Sequence, residues 1–126
     1  MVRRRRPYRR ASRVSKKEFA EHKEAARELV LKKLAYWAPH AGVAPKKVFI
    51  KNSRSRWGSC SQLGNLNFNY RVVKLSSELL DYVIVHELCH LIHFNHSRAF
   101  WGEVEKHLPQ WRSLRRQLRT VSMKMQ

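Results

Sequence analysis

The 126-residue sequence has few cysteines, few acidic residues and no long apolar run. Its two cysteines, Cys60 and Cys89, are too few for a disulfide scaffold, so we expect two reduced thiols. No stretch approaches the roughly 20 apolar residues that cross a bilayer, which excludes a transmembrane span. The basic N-terminus is not followed by the apolar segment of a secretory signal. These absences predict a cytoplasmic protein with one small domain.

Acidic residues are scarce: the sequence has 9 Asp and Glu but 27 Lys and Arg, which gives a net charge of +18. Such a charge attracts polyanions, so DNA or RNA is a candidate partner, although a solvated basic surface explains the charge equally well. Pro7 and the repulsion among like charges oppose a packed element over residues 1–14, which we interpret as a flexible basic arm. This arm contains seven arginines: Arg3, Arg4, Arg5, Arg6, Arg9, Arg10 and Arg13.

Residues 15–126 show the periodicities of an α+β domain. Apolar residues at helical spacing predict a first helix over residues 17–37. Three short β-like segments follow, at residues 47–51, 57–61 and 66–70. Together they predict a small antiparallel sheet of three strands.

A second helix, predicted from residue 77 to about residue 93, is apolar on nearly every face. Such a helix belongs in the core, and any polar side chain that it carries there needs a partner or a purpose. Two further helices are predicted near residues 98–107 and 109–119.

The second helix contains His86-Glu87-Leu88-Cys89-His90, an HExxH pattern. Residues four apart lie ~40° apart around a helix axis and ~6 Å along it, so both imidazoles can reach one metal ion. Glu87 lies ~100° around the axis from His86, where it can accept a proton from a metal-bound water. The alternative is a buried, hydrogen-bonded histidine pair, but three His and a Glu, with His96 included, are costly to bury without a metal.

With these residues the sequence resembles the bacterial YgjP-like metal-dependent hydrolases, which are related to the SprT-like and WLM metallopeptidases. The resemblance runs from about residue 18 to the C-terminus and leaves out the basic arm. The segments that carry it are RSRWGSC (residues 54–60), GNLNFN (64–69), DYVIVHELCHL (81–91), NHS (95–97) and FW (100–101).

The resemblance implies a minimal zincin-like domain, in which the small sheet packs on the buried active-site helix and further helices lie at both ends. It also implies one zinc ion per chain, held by His86, His90 and His96, with Glu87 as the catalytic base.

The third zinc ligand has rival candidates. Glu103 and Glu105 are alternatives from the following helix. His93 lies ~10 Å from His86 along a straight helix axis, which opposes convergence on one ion. His96 comes after the helix, where the chain can turn back and where Ser97 or Asn95 can cap the next helix.

Residues Arg54, Arg56 and Trp57 are candidates for substrate binding, because an exposed sheet edge can bind an extended peptide. Packing of Trp57 in the core beside two solvated arginines is the alternative. The last helix carries a basic stripe, which is either solvated or a phosphate-binding ridge. The stripe consists of Arg112, Arg115, Arg116 and Arg119.

The pattern and the resemblance predict a zinc metallopeptidase that hydrolyses peptides or proteins through a water activated by Glu87. Two alternatives stay open: a basic nucleic-acid-binding module with a structural zinc site, and a zinc hydrolase of a non-peptide substrate. A fourth protein ligand would favour the first alternative, because structural zinc sites are closed by four protein ligands.

Overall fold

The computed structural model describes residues 13–121, with side chains from residue 16 onward. The helices are α1 (Arg13–Ala41), α2 (Ser77–His90), α3 (Arg98–His107) and α4 (Trp111–Thr120). The strands are β1 (Lys47–Lys51), β2 (Gly58–Cys60) and β3 (Asn65–Asn69), and a 3₁₀ helix (Tyr70–Lys74) joins β3 to α2. This element order confirms the predicted α+β class.

Helix α1 is longer than the predicted residues 17–37. It continues until Gly42, whose φ of +73° and N–H bond to the Ala38 carbonyl end it. Arg13 of the predicted basic arm begins α1. None of the described helices combines the length and the apolar character that a bilayer crossing requires. The remaining arginines of the predicted arm lie outside the described residues: Arg3, Arg4, Arg5, Arg6, Arg9 and Arg10.

The three strands form a mixed sheet in the order β1-β3-β2, so the predicted antiparallel pairing is correct only in part. Strands β2 and β3 form an antiparallel hairpin, in which Gly64 makes the tight turn with a φ of +89°. Strand β1 pairs with β3 in parallel, with Val48 opposite Leu66. The reason is the segment 52–57, which crosses the end of β3 and places β1 on its far side.

Helix α2 lies between two hydrophobic clusters, which confirms that its apolar sequence belongs in the core. On one side Leu80, Ile84 and Leu88 pack with residues of α1 and of the sheet. On the other side Tyr82 and Val85 pack against α3 and α4. Burial on both sides leaves His86, Glu87 and His90, near the end of the helix, at a cavity that strand β2 also lines.

The two ends of α2 have defined hydrogen bonds. Ser76 caps its start by accepting a bond from a backbone N–H. At its other end the Leu91 N–H bonds to the Leu88 carbonyl, which tightens the last turn. The helix therefore ends at His90 and not near residue 93 as predicted, and His93 follows a turn at residues 91–92.

Candidate active site

Three imidazoles converge where helix α2 ends. His86 and His90 lie one turn apart on α2, and their ring centroids are 4.8 Å apart. His96 comes from the segment between α2 and α3, and its Nε2 lies 3.0 Å from Nε2 of His90 and 3.3 Å from Nε2 of His86. Ring nitrogens of all three lie within 4.8 Å of one another, so this cluster can hold a metal ion.

Aromatic residues of α3 hold His96 in place. The His96 ring stacks on Trp101 with centroids 5.6 Å apart, and it meets Phe100 edge-on at 5.0 Å. Of the two predicted caps, Ser97 is the one that caps α3, by accepting a hydrogen bond from the Phe100 N–H at 3.2 Å. This cap fixes the turn directly after His96.

The second ring nitrogens orient the imidazoles. His90 Nδ1 lies 3.2 Å from the His93 carbonyl, which can only accept, so Nδ1 carries the proton of the neutral ring. His86 Nδ1 lies 3.4 Å from the Tyr82 hydroxyl. Burial, together with the neighbouring His90 and His96, lowers the pKa of His86 to about 3, and burial also lowers the pKa of His90. Neutral imidazoles with a free Nε2 lone pair are the form that binds metal ions.

Glu87 is a buried carboxylate beside this cluster, with 6% of its surface exposed. Strand β2 passes so close to it that a Cβ on Gly58 would lie 3.1 Å from Glu87 Cγ. Burial raises the pKa of Glu87 to about 8, and the nearby Arg56 charge acts in the opposite direction. Glu87 and the three histidines line a cavity of about 340 Å³, which they share with Arg56, Gly58, Ser59, Cys60 and Phe94.

The structure brings two of the three predicted substrate-binding residues to the site. Arg56 lines the cavity of the histidines and two adjoining cavities. Trp57 is half-buried, packs against the core and lines one of the adjoining cavities. Arg54 is exposed and lines none of these three cavities.

The rival candidates for a third ligand are engaged elsewhere. Glu103 accepts a hydrogen bond from Lys106 at 3.1 Å, and Glu105 accepts one from the indole N–H of Trp111 at 3.2 Å. Neither belongs to the cluster of possible metal ligands in the described part of the chain. His93 is linked to the cluster through its backbone carbonyl, which receives the bond from His90.

Both cysteines are free thiols, as their number led us to expect. Cys89 is fully buried on α2, and burial raises its thiol pKa to about 12, so it packs as a small apolar residue. Cys60 lines the cavity of the histidines. Burial raises the pKa of its thiol, and the Glu87 charge adds to this effect.

Two arginines of α4 adjoin the site, which no sequence pattern indicated. Arg115 and Arg119 line a second cavity, of about 260 Å³, beside the histidine cluster. Arg112 and Arg116, the other members of the predicted basic stripe, do not line it. Helical spacing put all four on neighbouring faces of α4, but it contains no information on what those faces adjoin.

Known proteins share this fold and domain type. The family described as YgjP-like, metallopeptidase domain, matches residues 3–121. One similar structure is the crystal structure of the metallopeptidase zymogen of Pyrococcus abyssi abylysin, which superimposes on this chain with a TM-score of 0.62. The two sequences are 25% identical, and the match covers 75% of this chain and 92% of that chain. The crystal structure of the metallopeptidase zymogen of Methanocaldococcus jannaschii jannalysin is 23% identical, with a TM-score of 0.58, and shares the fold over 74% of this chain and 92% of that one. No curated protein matches the chain significantly.

The family match extends over nearly the whole sequence. It begins at residue 3, so it includes most of the basic arm, which the resemblance was expected to leave out. It also confirms the resemblance seen in the HExxH segment and in the segments around it. The chain therefore belongs to the YgjP-like metallopeptidase-domain family.

Proposed function

We propose that this protein is a zinc-dependent peptidase, in which His86, His90 and His96 hold the metal ion and Glu87 acts as the general base. The observation that carries the proposal is the convergence of three histidine nitrogens beside a buried carboxylate. Membership of a metallopeptidase family supports a peptide or protein as the substrate.

The donor set fits a catalytic zinc ion. Neutral imidazole nitrogens are common zinc ligands, and in the described residues the cluster has three members. Three protein ligands leave one coordination position open, which is typical of catalytic zinc, whereas structural zinc is closed by four protein ligands. This count favours an enzyme over a nucleic-acid-binding module with a structural zinc site.

The residues around the cluster have separate tasks in hydrolysis. Zinc bound there would polarise the scissile carbonyl and lower the pKa of a coordinated water. The Glu87 carboxylate lines the same cavity, so it accepts a proton from the attacking water and returns it to the nitrogen of the leaving amine. The His93 carbonyl and the Tyr82 hydroxyl keep the rings of His90 and His86 in orientation.

Strand β2 offers a binding edge for an extended peptide. It is an edge strand of the described sheet, because the strand order is β1-β3-β2. Its residues Gly58, Ser59 and Cys60 form one wall of the cavity that Glu87 and the histidines line. A peptide that adds to this edge through main-chain hydrogen bonds would pass across the site, which favours a peptide over a non-peptide substrate.

The variant Glu87→Gln tests the proposal, because an amide of nearly the same shape cannot accept the proton. We expect the zinc content of the wild type and a loss of peptide hydrolysis of about 100-fold or more. The measurement is digestion of a peptide library by the zinc-loaded proteins, with products identified by mass spectrometry. Glu78→Gln is the matched control, because Glu78 lies exposed in the first turn of the same helix. Near-wild-type turnover by zinc-loaded Glu87→Gln would contradict the assigned base.

A further inference from the structure

The cavity beside the histidine cluster has basic walls. Arg115 and Arg119 of α4 face it from one side and Arg56 from another, while His86 and Glu87 connect it to the site. We propose that this cavity binds a carboxylate of the peptide substrate close to the scissile bond. The proposal rests on the proposed peptidase function and names a feature of its substrates.

The charges at this cavity are unbalanced. Three guanidinium groups line it, against the single carboxylate of Glu87. Among the described residues, no Asp or Glu oxygen forms an ion pair with Arg56, Arg115 or Arg119. Arg112, on the same helix, does have such a partner. The cavity therefore attracts an anionic group from outside this part of the chain.

Arg115 is held by the aromatic residues that also position a histidine of the site. Its guanidinium carbon lies 5.3 Å above the Trp101 ring, and Trp101 stacks on both His96 and Trp111. Arg115 lines the same cavity as His86 and Glu87, which places its charge close to the site. A guanidinium held in this way can bind a carboxylate through two parallel hydrogen bonds.

The remaining walls suit an acidic side chain. Trp57, Val83 and Leu118 supply apolar surface between the arginines and the histidine cluster. The methylene groups of a Glu or Asp residue can pack there while the carboxylate reaches the guanidinium groups. A free C-terminal carboxylate of a short peptide carries the same chemistry, whereas the phosphates of a nucleic acid have no apolar stem to match these walls.

The test compares peptides that differ only in charge. Zinc-loaded full-length protein is given matched peptides with Glu or Gln at each position that flanks the cleaved bond. We expect the wild type to cleave the best Glu peptide about 10-fold or more faster in kcat/KM than its Gln counterpart. In the double variant Arg115→Gln/Arg119→Gln the ratio falls toward one. Arg116→Gln removes the same charge from the same helix outside the cavity, and it keeps the wild-type ratio.

Two further arms identify the source of the carboxylate and control for folding. Peptides with an internal Glu and an amidated C-terminus are compared with neutral peptides whose C-terminus is free or amidated.

Arg119→Gln alone and Arg115→Lys control for misfolding, because the first leaves the contact with Trp101 intact and the second keeps the charge. We expect Arg115→Lys to retain part of the preference for acidic peptides, because it keeps the charge but loses the two parallel hydrogen bonds.

A binding measurement separates this proposal from the proposed function. Fluorescence anisotropy of a labelled acidic peptide should show weaker binding to the double variant than to the wild type or Arg116→Gln, even if no peptide is cleaved. Cleavage of Glu and Gln peptides at equal rates, with equal binding, would overturn the carboxylate site and leave the peptidase intact. The site would also be overturned if the double variant lost affinity for a DNA or RNA oligonucleotide while its preference for acidic peptides stayed unchanged.

Discussion

Gly58 allows strand β2 to run directly against the Glu87 side chain. An added Cβ would lie 3.1 Å from Glu87 Cγ and 3.3 Å from its Oε2, which is closer than ordinary van der Waals contact. A glycine inside a strand often marks such a close approach. The sequence shows the glycine but not its neighbour, because β2 and α2 meet only in the folded chain.

We expect Gly58→Ala to lower kcat/KM by about 10-fold or more while the zinc content stays at the wild-type level, since a misplacement of the base by ~1 Å is costly. Steady-state kinetics and metal analysis on the same preparation measure both quantities. Gly102→Ala is the matched control, because a Cβ there meets no heavy atom within 4 Å. Wild-type kinetics in Gly58→Ala would show that the contact with Glu87 has no functional effect.

Residues on one regular element were easier to predict than residues brought together by packing. The i, i+4 spacing is enough to place His86 and His90 on one side of a helix, since that relation is set by helix geometry. Arg115 and Arg119 have the same spacing on α4, yet their position beside the cluster depends on how α4 packs against α2. The sequence contains no local signal for that packing.

The segment 52–57 is the connection that makes the sheet mixed, and Asn69 at the end of β3 holds it. The Asn69 side-chain amide donates hydrogen bonds to the carbonyls of Ser53 and Arg56, at 2.6 and 3.0 Å. Its carbonyl oxygen accepts a bond from the N–H of Arg71 at 3.1 Å. Because Asn69 is buried, these bonds are protected from water and position the segment that carries Arg56 and Trp57.

We expect Asn69→Ala to lower the free energy of unfolding by about 1–3 kcal/mol, because it removes the side-chain hydrogen bonds to the Arg56 carbonyl and from the buried Arg71 N–H. Urea denaturation measures this loss. The KM for peptides should also rise, since the segment 52–57 contributes to the cavity walls. Asn67→Ala is the control on the same strand, because the half-buried Asn67 donates a side-chain hydrogen bond to Ser59 Oγ. A smaller loss in Asn69→Ala than in Asn67→Ala would contradict the role assigned here.

The bounds of two elements were predicted correctly, whereas the ends of α1 and α2 and the pairing of β1 were not. Strand β1 and helix α3 lie at the predicted residues 47–51 and 98–107. The sheet is mixed because the segment 52–57 crosses the end of β3, and a sequence pattern does not specify which strands become neighbours. Helix α2 ends early because its last turn tightens, and this lets the His93 carbonyl orient His90.

At the scale of the whole molecule, the net charge of +18 is the property that the peptidase site does not explain. The predicted basic arm supplies much of it and lies largely outside the described residues. Contact of this arm with DNA or RNA, and a cytoplasmic location, stay predictions. Nucleic-acid contact would bring a peptidase close to nucleic-acid-bound proteins.

We expect deletion of residues 1–12, which contain six arginines, to weaken binding to single-stranded DNA or RNA and to reduce its salt dependence. Each lost phosphate contact lowers the slope of log K against log salt by ~0.7 for a single strand. Titrations at two salt concentrations measure the slope. The control is the full-length protein with the six arginines changed to Gln. Equal affinities and equal slopes for full-length and shortened protein would mean that the arm does not bind nucleic acid.

The zinc content of four histidine variants tests the central claim most directly. Elemental analysis of the purified wild type should find about one zinc ion per chain. His86→Ala, His90→Ala and His96→Ala should each lose it, because two remaining ligands form a weak site. His93→Ala should keep it, since only the backbone carbonyl of His93 is linked to the cluster. Retention of zinc by His96→Ala together with its loss from His93→Ala would contradict the metal site described here.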